Sequence, residues 1–356
     1  MTTTKDIEFF NVGELESIPG LGEQCLTRIP QAVRCLLNQG ARTTGVDSVG
    51  CELRMVSDAP IIDVYLKALS PNSGNVGEVR VFRGDFLHQT HRVEPGRTTL
   101  IRLNQPESFA RVNPGQLNQG GFSERVWRLA MNNGSRFAFH HVDAFGWPLR
   151  PPLAEEKPKL NWLAYGSSIT HSCLDGYPHL AARMLKAQVQ NKGLSGSCHL
   201  EPVLIDWLAE ECEWDAATLE MGINMRGCFE PEDFEERAGY AIQRFAATGR
   251  PVLAINLFPN SCTPGLTRDE TARECRRELA FNRIVERLAQ DCHCDNLHFM
   301  PGSAILDDFT GLSSDLLHPC AYGHAVMAVN LARELKRIMG YSVHASRDHQ
   351  SFPEDT

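Results

Sequence analysis

The sequence predicts a two-part protein, in which an all-β domain precedes an α/β domain with a parallel sheet. Residues 49–142 contain short segments rich in β-forming residues, with turn residues between them and little helical pattern. A charged, proline-rich stretch from Pro148 to Pro158 then marks a domain boundary near residue 150. After it, strand-like segments alternate with amphipathic helical patterns, as they do in βαβ units. We therefore divide the 356 residues into a β domain (1–150), an α/β domain (151–343) and a polar tail (344–356).

The β domain should be an antiparallel β-sandwich that resembles a jelly roll. Its strand-like segments are Val49–Val56, Ile61–Leu69, Glu78–Phe82, Thr98–Leu103, Val126–Met131 and Arg136–Val142. Turn residues lie at Pro71–Asn75, Arg83–Asp85, Pro95–Gly96 and Asn132–Ser135. Short strands at regular spacing are typical of such sandwiches, and an Asn-Gly pair between two of them favours a hairpin. Residues up to about Gly45 give no clear assignment.

The α/β domain should have a parallel sheet with helices on its faces. Its strand-like segments are Leu160–Tyr165, Ala187–Asn191, Ala217–Met221, Pro251–Phe258 and Asn296–Met300. The main helical patterns are Pro231–Thr248, Arg268–Asp291 and Pro319–Met339. Sheets of this kind bind their ligands at the carboxyl ends of the strands. We therefore look for functional residues at that edge.

The first of these strands delivers a serine to the edge. Trp162–Tyr165 is a short apolar run, Gly166 closes it, and Ser167 and Ser168 follow. Apolar residues then recur at helical spacing, so the serines lie on a strand-to-helix turn. Backbone N–H groups at a helix start have no intrahelical partner, and the helix dipole favours negative charge there. Such a turn suits a nucleophile, although serines at this position also commonly cap a helix.

Three further loops at strand ends carry small or polar residues. The loop Gly193-Leu194-Ser195-Gly196-Ser197 has glycines that let a backbone N–H approach a ligand closely. Asn224 follows the third strand, where its amide can donate a hydrogen bond. Asp315 and His318 lie three residues apart before the last helix. The carboxylate can hold one imidazole nitrogen while the other takes a proton from a serine.

Taken in order, these loops resemble the four sequence blocks of the SGNH (GDSL-type) hydrolase superfamily. The matching stretches, found within roughly Leu160–Met339, are Gly166-Ser167-Ser168-Ile169-Thr170, Gly193-Leu194-Ser195-Gly196, Gly222-Ile223-Asn224 and Asp315-x-x-His318. The resemblance implies a flavodoxin-like three-layer α/β/α domain that cleaves esters through an acyl-enzyme. It implies that Ser168 is the nucleophile, Gly196 and Asn224 are oxyanion donors, and Asp315 and His318 are the acid and base.

This chain departs from the family at Ser167, where the family usually has aspartate. The position is a supporting one, so the change affects local hydrogen bonding more than the nucleophile. A β-rich domain ahead of the first block is similar to the arrangement in some carbohydrate esterases.

Composition and charge limit the classes of partner that the protein is expected to bind. The chain is 42% hydrophobic and 22% charged, which is ordinary for a soluble protein, and its formal net charge is −9 with no basic stripe. These values argue against nucleic acid or an anionic membrane as the main partner. No apolar stretch reaches the ~18 residues of a transmembrane helix, and the N-terminus does not resemble a secretory signal.

The number and spacing of the cysteines indicate the cellular compartment in which the protein is expected to work. The 12 cysteines are scattered without a C-x-x-C pair, which favours free thiols in a cytoplasmic protein. Cys292-His293-Cys294 has no second pair at zinc spacing, so we expect neither a metal nor another cofactor. The oligomeric state stays open.

Three functions remain in view. The first is a serine esterase that removes a short acyl group, such as acetyl, from a carbohydrate or small alcohol. The second is an acyltransferase that passes the acyl group to an acceptor hydroxyl in a biosynthetic pathway. The third is a catalytically silent sugar-binding protein, which would have no need of Ser168, Asp315 and His318 together. Free thiols and the lack of a signal favour a small-molecule ester inside the cell.

Overall fold

The computed structural model describes residues 4–69, 76–132 and 135–340. The predicted turn at Pro71–Asn75 and the polar tail, 344–356, lie outside the described residues. The predicted turn at Asn132–Ser135 lies within them only in part.

Two antiparallel sheets of five strands each form the N-terminal part of the chain, which confirms the predicted all-β domain. Their strands are β1 (Glu8–Phe10), β2 (Glu14–Ser17), β3 (Gln24–Thr27), β4 (Glu52–Val56), β5 (Ile61–Ala68), β6 (Gly77–Arg83), β7 (Phe86–Val93), β8 (Thr98–Asn104), β9 (Val126–Met131) and β10 (Phe137–Asp143). The strand order is β1-β4-β9-β6-β7 in one sheet and β2-β3-β10-β5-β8 in the other. Between strands lie the short helices α1 (Gln31–Arg34), α2 (Gln39–Thr44) and α3 (Pro114–Leu117) and a 3-10 turn at Glu107–Arg111, and another 3-10 turn, Thr4–Asp6, precedes β1.

A single cluster of buried apolar side chains draws residues from both sheets. It includes Leu53, Val81 and Leu129 of the first sheet and Val64 and Phe137 of the second, none of which is exposed. Burial of each such side chain stabilises the fold by roughly 1.5–3 kcal/mol. The core of the β domain therefore lies between its two sheets.

Four strands of this domain were not indicated by the sequence. β1, β2 and β3 have only three or four residues each, too few to show a clear alternation. In β7 every residue before Val93 is at least partly exposed, so its sequence lacks the apolar face of a core strand. Each of these strands is held by backbone pairing with a neighbour in its sheet, as β7 is with β6 across the tight turn at Gly84.

A five-stranded parallel sheet forms the C-terminal part of the chain. Its strands are β11 (Leu160–Tyr165), β12 (Ala187–Asn191), β13 (Ala216–Glu220), β14 (Val252–Ile255) and β15 (Leu297–Met300), in the order β12-β11-β13-β14-β15. Counted from β11, this is the 2-1-3-4-5 order of flavodoxin-like folds. The helices are α4 (Ser168–His171), α5 (Tyr177–Leu185), α6 (Pro202–Asp206), α7 (Pro231–Ala246), α8 (Arg273–Asp291), α9 (Gly302–Ile305) and α10 (Ala321–Ile338). Short turns of other helical types occur at Ala154–Glu156, Trp207–Glu211 and Phe309–Gly311.

Helices cover both faces of this sheet. One buried cluster joins the sheet to α6, α7 and α8, and a second joins its opposite face to α5 and α10. Trp162 and Leu163 are neighbours on β11 yet belong to different clusters, because successive residues of a strand point to opposite faces. The predicted three-layer α/β/α class is therefore confirmed. Among the residues that the structure describes, no helix has the length and apolar character needed to span a bilayer.

The last helix begins later than the sequence indicates. Its pattern starts at Pro319, but α10 starts at Ala321 with Cys320 as its N-cap. Cys320 N–H donates to Gly311 O at 2.8 Å, and Leu312 and Pro319 form an antiparallel bridge. These bonds close residues 311–320 into a loop, which holds Pro319 out of the helix.

Candidate active site

The turn after β11 is built for close packing around Gly166. A Cβ atom at this position would collide with Thr170 Oγ1 and Glu220 Oε2, so a glycine is needed there. Ser167 is fully buried, and its Oγ accepts from Ile169 N–H at 3.2 Å as the N-cap of α4. Ser168 is the first residue of that helix. Of the two adjacent serines, one caps the helix and the other is free to present its hydroxyl.

Ser168, His318 and Asp315 form a chain of hydrogen bonds. Ser168 Oγ lies 2.8 Å from His318 Nε2, and His318 Nδ1 lies 2.7 Å from Asp315 Oδ2. The hydrogen bond from His318 holds the pKa of the Asp315 carboxyl well below its usual range. Asp315 is therefore an anion that accepts from Nδ1–H, which leaves the Nε2 lone pair for the Ser168 proton. This arrangement can activate a serine hydroxyl.

The loop that carries Asp315 and His318 is fixed from two sides. Asp315 Oδ1 accepts from Leu317 N–H and His318 N–H, both at 3.0 Å, and from Ser313 Oγ at 2.8 Å. From the loop after β14, Ser261 N–H donates to Leu316 O at 2.9 Å. The carboxylate thus orders the backbone of its own loop as well as the imidazole.

Three N–H groups at the same edge of the sheet have no acceptor among the described residues: those of Ser168, Gly196 and the Asn224 side chain. Asn224 Oδ1 accepts from Cys198 N–H at 3.1 Å. Because a backbone N–H can only donate, this bond fixes the amide so that Nδ2 is the free end. Gly196 has φ +66°, a conformation that glycine adopts readily. The loops after β11, β12 and β13 therefore offer three donors for a negatively charged oxygen.

The site is open to solvent. The Asp315 and His318 side chains are 49% and 43% exposed, and the cavity of about 240 Å³ between the domains is lined by other residues, such as Arg54, Arg128 and His179. The edge that carries Ser168 is thus a shallow surface site.

The β domain contacts the loop after α4. Asn132 Oδ1 accepts from Leu174 N–H at 2.9 Å, and Arg80 makes a two-pronged salt bridge to Asp175 at 2.7 and 2.6 Å. Both contacts lie within a few residues of α4, whose first residue is Ser168.

Sequence reasoning did not single out Glu220, the last residue of β13. It is buried, and its Oε2 accepts from Ser167 N–H at 2.5 Å and from Thr170 Oγ1 at 3.1 Å. Burial raises the pKa of its carboxyl. Glu220 therefore supports the turn at Ser167. A carboxyl at the end of an otherwise apolar strand was the signal for it.

The candidate metal ligands stay apart from the site. The Sγ atoms of Cys292 and Cys294 lie 3.4 Å apart just past the end of α8. Within residues 4–69, 76–132 and 135–340, no group of three or more His, Cys, Asp or Glu side chains could hold a metal ion. All twelve cysteines are unpaired.

The chain is similar to known proteins in sequence and in fold. Residues 164–326 match the sequence model of the GDSL-like Lipase/Acylhydrolase family. A salicylyl-acyltransferase from a tetracycline biosynthetic pathway superposes with a TM-score of 0.76 at 17% identity, covering 94% of this chain and 95% of that chain.

Two family two carbohydrate esterases have the same fold. The one from Cellvibrio japonicus has a TM-score of 0.61 at 13% identity and covers 94% of this chain and 96% of that one. An active-site mutant of the one from Clostridium thermocellum has a TM-score of 0.58 at 15% identity, over 83% and 94% of the two chains. At such identities the likeness establishes the fold alone. No curated protein is similar enough in sequence to match this chain.

Proposed function

We propose that this protein is a serine esterase that works through an acyl-enzyme, a function that is supported by the match of residues 164–326 to the GDSL-like Lipase/Acylhydrolase family model. Its substrate would be a small molecule in which a short acyl group, acetyl above all, is esterified to a carbohydrate or small alcohol. The observation that carries the proposal is the unbroken hydrogen-bond chain from Ser168 to His318 to Asp315. It lies beside three N–H donors that have no acceptor in the described part of the chain.

In the first half of the reaction, Ser168 Oγ adds to the ester carbonyl carbon, and its proton moves to His318 Nε2. Asp315 stabilises the imidazolium that results. The carbonyl oxygen becomes an oxyanion, and the N–H groups of Ser168, Gly196 and Asn224 would donate to it. The bond to the alcohol oxygen then breaks, and His318 returns the proton to the leaving alkoxide.

In the second half, water attacks the acyl group on Ser168, and His318 accepts a proton from that water. A second tetrahedral intermediate forms in the same donor site, and its bond to Ser168 Oγ breaks as His318 gives its proton back to that oxygen, which releases the free acid. The exposed Asp315 and His318 side chains favour this step, because an open site gives water access to the acyl-enzyme. We place hydrolysis first for this reason.

Acyl transfer to an alcohol is the second candidate. A transferase must exclude water or hold its acceptor at high effective concentration beside the acyl-enzyme. The β domain contacts the loop after α4 through Asn132 and Arg80, and in this candidate function it would supply the wall that holds the acceptor alcohol. One structural neighbour is itself an acyltransferase, whereas two others are carbohydrate esterases.

The test is a screen of aryl esters of increasing acyl length and of acetylated sugars, with Ser168→Ala as the blank. Candidate alcohols are then added at millimolar concentration, and mass spectrometry follows both free acid and new ester. We expect free acid to dominate. Mostly new ester would make the protein an acyltransferase, and wild type no faster than Ser168→Ala on every ester would refute both candidates.

We also propose that the protein is cytoplasmic, since thiols stay reduced in that compartment and all twelve cysteines are unpaired. The division into 1–150, 151–343 and the tail 344–356 remains part of this proposal. The last strand of the β domain ends at Asp143 and the parallel sheet begins at Leu160, which is compatible with it.

A further inference from the structure

Arg28 is a fully buried cation that joins the two domains. It follows β3 in the β domain, where its Nε donates to Asp47 O at 2.9 Å and its Nη2 to Thr44 O at 2.8 Å. The other three N–H donors of Arg28 bond to the α/β domain. Two of them reach the end of β12 and the loop that follows it. Nη1 donates to Asn191 O at 3.1 Å and to Gly193 O at 2.8 Å.

The fifth donor of Arg28 goes to His171 on α4, with 2.9 Å between Nη2 and Nε2. A guanidinium has five N–H donors and no acceptor, so each of them has a partner here and His171 Nε2 must be the acceptor. His171 therefore carries its proton on Nδ1. Burial, followed by the nearby charge of Arg28, lowers the pKa of His171 well below its ordinary value, so the ring stays neutral.

The Nδ1–H of His171 points at Ser195, whose Oγ lies 2.6 Å away. Ser195 is the residue before Gly196, whose N–H is one of the three free donors. The loop is thus held at two points, at the Gly193 carbonyl by Arg28 and at the Ser195 hydroxyl by His171. Because His171 is on the same one-turn helix as Ser168, this tie sets the distance between two of the oxyanion donors.

We propose that Arg28 is a positioning residue of the β domain that acts through His171 and Ser195 to aim the Gly196 N–H at the oxyanion. The inference rests on the proposed esterase function and deepens it, since it makes the β domain part of the machinery that stabilises the transition state. Arg28 touches no reacting atom itself. A donor that is displaced by a fraction of an ångström stabilises the developing charge less well.

The first test needs no activity. In wild-type protein labelled with ¹⁵N-histidine, the ring of His171 should show a protonated Nδ1 and an unprotonated Nε2 at neutral pH. His171→Gln identifies its signals by their loss. An Nε2–H tautomer, or an imidazolium near neutral pH, would overturn the proposal whatever the enzyme does with esters.

The second test is kinetic and uses Ser195→Ala in the full chain, with Ser303→Ala as the control because Ser303 is an exposed serine on α9. We expect kcat for an ester to fall roughly 10-fold or more, while KM stays within about twofold of the wild-type value. The fall in kcat should be smaller than the ~10²–10³-fold that removal of a whole donor causes, because the Gly196 N–H is displaced and not lost. Turnover of the matching thionoester should fall much less, because sulfur accepts hydrogen bonds weakly. The ester-to-thionoester ratio thus reports the oxyanion donors and not the nucleophile.

Two variants of His171 complete the set of measurements. His171→Gln offers an amide oxygen to Arg28 and an N–H to Ser195, so it should retain more kcat than His171→Leu. Equal loss on ester and thionoester, or Ser195→Ala with wild-type kcat, would overturn the relay while the esterase proposal stands. A wild type that cleaves no ester would instead overturn the proposed function, and the kinetic role of Arg28 with it.

Discussion

Replacement of Asn224 by alanine should reduce turnover while leaving substrate binding nearly unchanged. Asn224 Oδ1 is engaged by Cys198 N–H at 3.1 Å, so the Nδ2 donor is directed away from that bond and has no acceptor in the described residues. Our mechanism gives this donor a partner only when the carbonyl oxygen becomes negatively charged. The variant should therefore lose an interaction that is made in the transition state.

The magnitude follows from the number of donors. With Ser168, Gly196 and Asn224 as three donors, removal of one should lower kcat by ~10²–10³, or about 2.7–4 kcal/mol in the activation free energy. The same change leaves the buried Cys198 N–H without an acceptor, which should cost about 1–3 kcal/mol of stability. Part of the effect of Asn224→Ala can therefore come from a shifted loop.

Asn224→Asp separates these two contributions. The aspartate keeps an acceptor for Cys198 N–H and nearly the same shape, but it puts a negative oxygen where Nδ2 was. We expect its Tm to stay within a few degrees of wild type and its kcat to be at least as low as that of Asn224→Ala. The assay is steady-state hydrolysis of an aryl acetate, with Tm measured on the same samples.

If Asn224→Ala raised KM and left kcat unchanged, Asn224 would be a residue that binds the substrate in its ground state and not an oxyanion donor. The oxyanion role of Asn224 would also be refuted if Asn224→Asp kept wild-type turnover, because a carboxylate cannot stabilise an oxyanion.

The other predictions concern the serines, pH and metals. Ser168→Ala should lose ~10⁴-fold or more in turnover, whereas Ser167→Ala should lose helix stability of ~1 kcal/mol as a lost N-cap and little activity; the reverse result would exchange their roles. Burial, followed by the nearby charge of His318, lowers the pKa of His324 to about 4, so between pH 6.5 and 4 the unfolded chain takes up a proton there that the folded chain does not. The free energy of unfolding should therefore be constant above pH 6.5 and fall by roughly 3 kcal/mol toward pH 4. In His324→Gln the free energy of unfolding, measured with urea at each pH, should fall less steeply over this window. Activity should not respond to EDTA, because no step of the proposed mechanism uses a metal; inactivation by EDTA that zinc reverses would contradict the mechanism.

Much of the fold could be predicted from the sequence because its signals are local. Alternation and turn residues indicated β4, β5, β6, β8, β9 and β10, and apolar runs between helical patterns indicated all five strands of the parallel sheet. The short strands β1–β3 and the polar β7 were missed, since they depend on the edges of their neighbours for hydrogen bonds. The start of the last helix was predicted at Pro319, two residues too early, because the bonds that close the preceding loop join residues that are not adjacent.

The sequence by itself determined which chemical groups stand at the strand ends, because parallel strands end at one edge and the residues after them can be read directly. Ser168, Gly196, Asn224, Asp315 and His318 were predicted from these loops and from the resemblance to the SGNH sequence blocks. In the structure Ser168 Oγ and His318 Nε2, from residues 150 positions apart in the chain, lie 2.8 Å from each other. Only the tertiary structure decided how those groups are held. Glu220 accepts a hydrogen bond from Ser167 N–H, and Arg28 donates one to the carbonyl of Gly193, 165 positions further along the chain. Both are buried polar contacts between distant segments. Such contacts leave no periodic pattern in the sequence, since a buried polar group needs a partner of the right geometry and that partner can come from anywhere in the chain.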